Sequence, residues 1–387
     1  MSTASPLPSA SAKAFTDLLT QLRAHRGHAP EASVAAHALA SAEVATDTKT
    51  QFLRELSEDL WTSTLLAEFA KAFRSLARNP HVEAWAGRAV DVCGTGGDHS
   101  GSFNVSTAAA FIVAAARVPV FKHGNRAQTS QSGSADFLEE LGFPLEANDA
   151  TLRASLRELN FAFFYAPAFH PAFQHVMPAR KALAAERRRT VFNILGPLIN
   201  PGRPLHQLIG LYHQAWAPML AGSLEEIGIR RGLIVHGNSS PTASGDGLDE
   251  LSVVYNNFLT GAGELRFLDA QTLQARPTSA DEAAFTGGER PVVNLDAGKI
   301  GLTPAEPSVL AGGDAKRNVQ ILDDLLDNRA PAGLRDTVCL NAGAALWVAN
   351  RTGTLKAGVD EARRLLTGGE VKKWLRQAQE FFSDVKS

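Results

Sequence analysis

Residues 91–107 read DVCGTGGDHSGSFNVST, with four glycines between Gly94 and Gly101 and a cluster of hydroxyls and amides after them. Glycine at this density lets backbone come close to another group. A Walker A loop needs a Gly-Lys pair, and none is present. A dinucleotide fingerprint needs GxGxxG; Gly94 and Gly96 fit, but His99 stands in the third glycine's place. What remains is a glycine turn carrying Asp98, followed by Asn104, Ser106 and Thr107 at the start of a helix. Backbone N–H groups and a helix N-terminus bind an anion without a cationic side chain, so phosphate is one reading. A plain strand-to-helix turn is the other.

A cation follows in KHGNRAQTSQSGSADFLEELG, residues 122–142. Lys122 and Arg126 lie at the end of the next apolar run, within reach of phosphates on the first loop. Ser130, Ser132 and Ser134 add donors, and Gly133 keeps the backbone open. Further on, GDGLDE places Asp249 and Glu250 beside glycines. Such carboxylates are hard oxygen ligands suited to magnesium, or else a solvated turn. His170 and His175 are five apart, not the four that puts two metal ligands on one helix face. Cys93 and Cys339 belong to no CxxC pair, which excludes a zinc ribbon or a disulfide framework.

The elements that must position these residues alternate. Residues 14–79 have helical spacing throughout. From residue 88, AVDVCG, PVFKHG, FAFFYAP, LHQLIGLY, RGLIVHG and LSVVYNNF read as strands. STAAAFIVAAARV, with Ser106 or Thr107 as its cap, ADFLEELG, LRASLRELN and PMLAGSLEEIG read as helices between them. The pattern predicts an α/β fold: a small helical domain plus a large α/β domain with a mainly parallel sheet. HPAFQHVMPARKALAAERRR is a helical stretch between strands, expected to return to the N-terminal helices. The predicted domains are 1–85, with a contribution from about 168–190, and 86–387, with the site between them. After residue 313 the chain reads as helical to its end. In an open α/β sheet, both phosphate-type loops would face one crevice.

A net charge of −2 argues against a nucleic-acid surface. The N-terminal MSTASPLPSASAKAF lacks the apolar stretch of a signal peptide, and the longest apolar run, Ala108–Ala116, has nine residues. A bilayer span needs roughly 20, so the expected location is the cytoplasm, with no membrane partner.

GTGGD with FNVST, KHGNR with SGSAD, HPAFQHVMPAR, FNILGPLINP and DGLDE, in this order, resemble the anthranilate phosphoribosyltransferase family. The resemblance runs from about residue 50 to the C-terminus. It implies transfer of a phosphoribosyl group from phosphoribosyl pyrophosphate to the amine of anthranilate, by a homodimer joined through the helical domain. It also implies that Gly94, Gly97, Asp98, Ser102, Asn104, Ser106, Thr107, Lys122, Ser130 and Ser134 hold the donor. Lys122 and Asp98 would act electrostatically, with no general acid or base. Two Mg2+ ions are implied, one touching Ser106 and one held by Asp249 and Glu250. Gly94, His123, Asn125, His170 and Arg180 would hold anthranilate, with Pro197 nearby. The sequence departs from the family's pattern in two places, at Asn238–Gly245, expected to be an exposed loop, and at AAERRR. The alternatives are a pyrimidine nucleoside phosphorylase on the same plan, or transfer to another aromatic amine.

Overall fold

The computed structural model describes residues 10–24, 31–127, 131–240, 246–269 and 290–386. Its strands are β1 (Val90–Gly94), β2 (Val120–Gly124), β3 (Phe161–Tyr165), β4 (His206–Gly210), β5 (Arg231–Gly237), β6 (Asn257–Gly263) and β7 (Val292–Leu295). They form one sheet in the order β3-β2-β1-β4-β5-β6-β7. The first five in that order run parallel, and β6 pairs antiparallel with both β5 and β7. Short, almost wholly buried runs such as VDVCG and HQLIG are what a parallel sheet covered on both faces requires. The α/β class and the mainly parallel sheet agree with expectation.

One face of the sheet is covered by Val105–Ala115 and by the helices after residue 314. Val105–Ala115 is nearly all Ala, Val, Ile and Phe, and Val105 and Thr107–Ala114 are buried. Its small side chains let Ala332–Val348 pack closely on it. The other face carries Ile209, Ile234 and Ala262 into a core shared with helices Ala10–Ala24, Ala32–Ala40, Thr46–Glu55, Ser63–Ser75 and Ala217–Glu226. Met177–Ala185 packs against Thr46–Glu55. Lys49 joins these pieces: its buried ammonium donates to the carbonyls of Ser41 and His175, both at 2.7 Å.

Three readings of local structure change. Val105 begins the helix, with Asn104 as its N-cap residue and no side-chain cap bond, so Ser106 and Thr107 lie in the first turn. LSVVYNNF is not one strand: β6 starts at Asn257, and Leu251–Val254 runs outside the sheet. That segment finds its partners in side chains. Leu251 N–H donates to Asn341 Oδ1 (3.1 Å), Leu251 O accepts from Asn341 Nδ2 (2.7 Å), and Val253 N–H donates to Thr337 Oγ1 (3.3 Å). Buried side chains that satisfy backbone in this way let an apolar run be buried without a sheet neighbour. HPAFQHVMPARKALAAERRR divides into a 3-10 turn, Pro171–His175, and the helix Met177–Ala185. β7 was not read from the sequence. Of the Asn238–Gly245 loop, residues 241–245 lie outside the described residues.

Candidate active site

β1 is flanked by β2 on one side and β4 on the other, and the chain visits these neighbours by separate crossovers. The carboxyl ends of β1 and β4 therefore bound the topological switch point, where open α/β sheets bind ligands. Asn200, from FNILGPLINP, ties the strands below it. Its Nδ2 donates to Asp91 Oδ2 on β1 (2.9 Å) and to Phe121 O on β2 (2.8 Å).

The glycine loop leaves β1 at Gly94 and turns back through left-handed residues Gly96 (φ 68°), Gly97 (φ 84°), His99 (φ 52°) and Gly101 (φ 64°). Thr95 N–H donates to Gly210 O at 2.9 Å, which joins the β1 and β4 ends. A Cβ on Gly94 would overlap the Asp249 carboxylate, and one on Gly210 would overlap the Asp249 backbone. Gly96 N–H donates to Asp249 Oδ2 at 2.7 Å. What the glycine loop approaches first is thus the protein's own acidic turn.

Negative charge collects there. Burial, and then the neighbouring Asp98 charge, push Asp249 up to about 7. Burial, followed by Asp249 and Asp98, raises Glu250 well above the usual carboxylate range. One buried cation, Lys122, attracts both carboxylates and still leaves them raised. Lys122, 2% exposed, donates to Val92 O (2.6 Å) and Ser106 Oγ (3.4 Å), and its pKa is lowered by burial. Carboxylates crowded together beside one buried ammonium suit a hard divalent cation. Among the described residues no group of three or more His, Cys, Asp or Glu side chains forms a metal cage alone. Such a donor set fits Mg2+, which takes one or two carboxylates and completes its shell with water and substrate phosphates.

The second loop closes on itself at Asn125 and Gly133. Asn125 O accepts from Ala135 N–H (3.1 Å) and Ser134 Oγ (3.4 Å), and a Cβ on Gly133 would overlap the backbone at 125–127. Arg126 turns back onto its own loop, pairing with Asp136 (3.0 Å) and Glu139 (2.7 Å). Two carboxylates on the following helix hold it, so it does not supply the first loop with charge. Ser132, buried, meets Asn104 across the cleft: Asn104 Nδ2 donates to Ser132 O at 3.2 Å. Ser130 lies outside the described residues. Ser102 carries an isolated bridge to Ala311, and Thr107, 1% exposed, has no partner for its hydroxyl among the described residues.

On the other side, the rings of His123 and His170 are 5.1 Å apart, His170 is 5.7 Å from Phe173, and Phe173 is 5.6 Å from Phe192. The Arg180 guanidinium lies 5.4 Å over the Phe192 ring. Three segments thus form one row of rings ending in a cation. Burial and then Arg74 lower His170 to about 4, and burial, His170 and Lys122 hold His123 well below the usual imidazole range. Arg180 forms no ion pair among the described residues; its Nη1 contacts only Met177 Sδ at 3.7 Å. Pro197 is buried in the turn Gly196–Ile199, where its carbonyl accepts from Gln207 Nε2 at 2.9 Å.

With that geometry in place, comparison with known proteins is decisive. A family model described as glycosyl transferase family, a/b domain, matches residues 86–264 and 268–372. An anthranilate phosphoribosyltransferase of Brevibacillus brevis is 39% identical over 311 residues, covering 80% of this chain and 81% of the relative. The chain belongs to the anthranilate phosphoribosyltransferase family. Among solved structures, the family member from Thermus thermophilus matches with a TM-score of 0.80 at 33% identity, over 95% of this chain and 99% of that one. The Saccharomyces cerevisiae member, solved with phosphoribosyl pyrophosphate and magnesium, shares the fold: its TM-score is 0.75 at 23% identity, over 97% and 99% of the two chains. Sequence reasoning missed Asn318, which holds Asn104, and Asn341, which holds the backbone of Leu251. Their signal was weak, since a lone Asn in a helix resembles any surface residue until its burial is known.

Proposed function

We propose that the protein transfers the phosphoribosyl group of phosphoribosyl pyrophosphate to the amine of anthranilate. The C–O bond from the ribosyl carbon to pyrophosphate breaks, and a C–N bond to anthranilate forms. The amine loses one proton, giving N-(5-phosphoribosyl)anthranilate and pyrophosphate. The observation that carries this reading is the acidic turn at Asp249 and Glu250, seated on a glycine loop that offers N–H groups at the switch point.

In this reading Gly94, Gly97, Asp98, Ser102, Asn104, Ser106, Thr107, Lys122, Ser130 and Ser134 hold the donor. Lys122 and the loop N–H groups stabilise the departing negative charge by preorganised electrostatics. Two Mg2+ ions are expected, one at Ser106 and one at Asp249 and Glu250; when bound they neutralise the phosphates and the leaving group. Anthranilate lies against Gly94, His123, Asn125 and His170, with Pro197 close by. Arg180, which forms no ion pair among the described residues, donates to its carboxylate in a bidentate contact. Anthranilate's aromatic amine carries a free lone pair at neutral pH. No base is needed to expose it, and two imidazoles kept neutral by burial add no competing charge.

The proposed domains are 1–85, with about 168–190, and 86–387; the helical one carries a homodimer contact. No described helix is long and apolar enough to cross a membrane, and the proposed location is the cytoplasm. The test is the loss of anthranilate fluorescence with phosphoribosyl pyrophosphate and Mg2+, beside release of base from thymidine or uridine with phosphate. Turnover only in the second assay would replace this reading with a nucleoside phosphorylase.

A further inference from the structure

The two phosphate loops are fastened from behind. Asn318, in the helix Ala315–Leu326, is 1% exposed. Its Nδ2 donates to Asn104 Oδ1 at 2.8 Å and to Gly313 O at 3.2 Å, and its Oδ1 accepts from Gly313 N–H at 2.9 Å. Asn104 in turn donates to Ser132 O at 3.2 Å and faces the Ser132 hydroxyl at 3.4 Å. One chain of amides therefore runs from the C-terminal helical layer, through the first loop, to the second. The backbone beside it is zipped in the same direction. Phe103 N–H donates to Leu310 O at 2.8 Å, and Gly312 N–H donates to Gly101 O at 2.9 Å. A Cβ on Gly312 would overlap the backbone of Ser102 and Phe103.

We propose that Asn318 is a positioning residue for the donor site, setting the separation of the two phosphate loops through Asn104 before any ligand arrives. This rests on reading the cleft as a phosphoribosyl pyrophosphate site. Packing alone does not account for the residue type. A buried amide costs free energy unless its groups are paired, and a leucine would fill the same volume at no such cost. Here both amide hydrogens and the oxygen are used, and the partner beyond its own turn belongs to the glycine loop. Preorganisation of this kind is read mainly in ligand affinity, because a loop that must be ordered on binding weakens the complex.

The test is a double-mutant cycle with Asn104→Ala and Asn318→Ala in the full chain. It is read as the calorimetric Kd for phosphoribosyl pyrophosphate with Mg2+, together with kcat, KM and Tm. The expected result is a Kd about tenfold weaker for each single variant and no weaker for the double variant than for the worse single one, since coupled residues are non-additive. At saturating substrate, kcat should fall far less than KM rises. An Asn318→Ala protein with lowered Tm but unchanged Kd would reduce the residue to packing, and additive losses would show that it does not act through Asn104. If Asn318→Ala does not fold, Asn318→Ser, which keeps a hydroxyl for Gly313, carries the same readout. A wild-type chain that fails to bind phosphoribosyl pyrophosphate overturns the proposed function itself. Normal wild-type binding with unaffected variants overturns only this inference.

Discussion

The two sides of the cleft are built on opposite electrostatic plans. On the donor side Asp98, Asp249 and Glu250 are crowded together, and the buried Lys122 spends its hydrogen bonds on Val92 O and Ser106 Oγ. On the acceptor side two imidazoles are held neutral in a row of rings, and the guanidinium of Arg180, like that of the buried Arg74 beside His170, forms no ion pair among the described residues. The first arrangement is unbalanced until a divalent cation joins it. The second lacks only one anionic group on a flat molecule. In the proposed function these two unlike halves take a metal-bound polyphosphate on one side and an aromatic acid on the other.

The largest expected effect comes from removing the donor side's charge. Asp249→Asn with Glu250→Gln should keep the fold, since relieving crowded carboxylates does not weaken packing. Turnover should fall by about a hundredfold or more, because metal-based stabilisation of the leaving group contributes several kcal/mol. Initial rate against Mg2+ for both proteins, with circular dichroism for folding, is the check. A near-normal rate with an unchanged Mg2+ curve would make DGLDE structural and dissolve the contrast between the halves.

Next in size is the acceptor side. Arg180→Ala should weaken anthranilate by roughly ten- to a hundredfold, the 1.5–3 kcal/mol typical of a charge-assisted bond. Binding of phosphoribosyl pyrophosphate should change little. Titration of each substrate separates the two, and equal losses for both would remove Arg180 from the acceptor side.

Asp249 also gives a pH signature that the acceptor histidines do not share. Its folded pKa of about 7 lies above the ordinary carboxylate value of 3.8. The folded state therefore holds a proton that the unfolded state has already lost in the interval between them. Stability linked to this group is present in full below the unfolded value and is lost as pH rises through the folded one. The metal-free protein should melt at progressively lower temperature between about pH 4 and 7, and Asp249→Asn should reduce that slope. Because protons and Mg2+ compete for the same oxygens, apparent Mg2+ affinity should rise over the same interval. Melting curves in chelator, and Mg2+ titrations at each pH, test both halves of the statement. The depressed histidines act at the acid end instead, where the unfolded chain takes up protons first.

The sequence made the donor loops legible because phosphate-type chemistry uses local signals: glycines, hydroxyls and a lysine within a few positions of a strand end. It also made the parallel strands legible, since AVDVCG and LHQLIGLY are short apolar runs bounded by turns. It misled at LSVVYNNF, where β-branched residues mark an extended segment but do not say whether its partners are strands or side chains. Asn341 and Thr337, more than eighty residues away, supply them. Arg126 misled for a related reason: position at a strand end predicted reach toward phosphate, and Asp136 and Glu139 compete for it locally. Only the resemblance brought His123, His170 and Arg180 together; Phe173 and Phe192, which complete the row of rings, were not legible, because the row joins β2, the stretch after β3 and the turn near Phe192.

The smallest effect is expected where a strap joins the glycine loop to the acidic turn. Asp246 accepts from Arg189 Nη2 at 2.7 Å and from His213 Nδ1 at 2.6 Å. The Arg189 guanidinium lies over the rings of Tyr212 (5.5 Å) and Trp216 (5.4 Å), and Tyr212 borders Gly97. The strap therefore touches the glycine loop and stands three residues before Asp249. Its members are partly in water, with the Asp246 side chain 54% and the Arg189 side chain 33% exposed. Salt and solvent screen such a pair, and exposed ion pairs are worth about 0–1 kcal/mol. The backbone adds a bond that a side-chain change leaves intact, Gly247 N–H to Tyr212 O at 2.7 Å. Asp246→Asn should thus cost at most a few-fold in apparent Mg2+ affinity, and the difference from wild type should shrink between low and high ionic strength. Half-saturating Mg2+ measured at two salt concentrations is the check. A large loss that salt does not reduce would mean that the acidic turn is held chiefly by this strap, and that the donor half is less rigid than its glycine contacts imply.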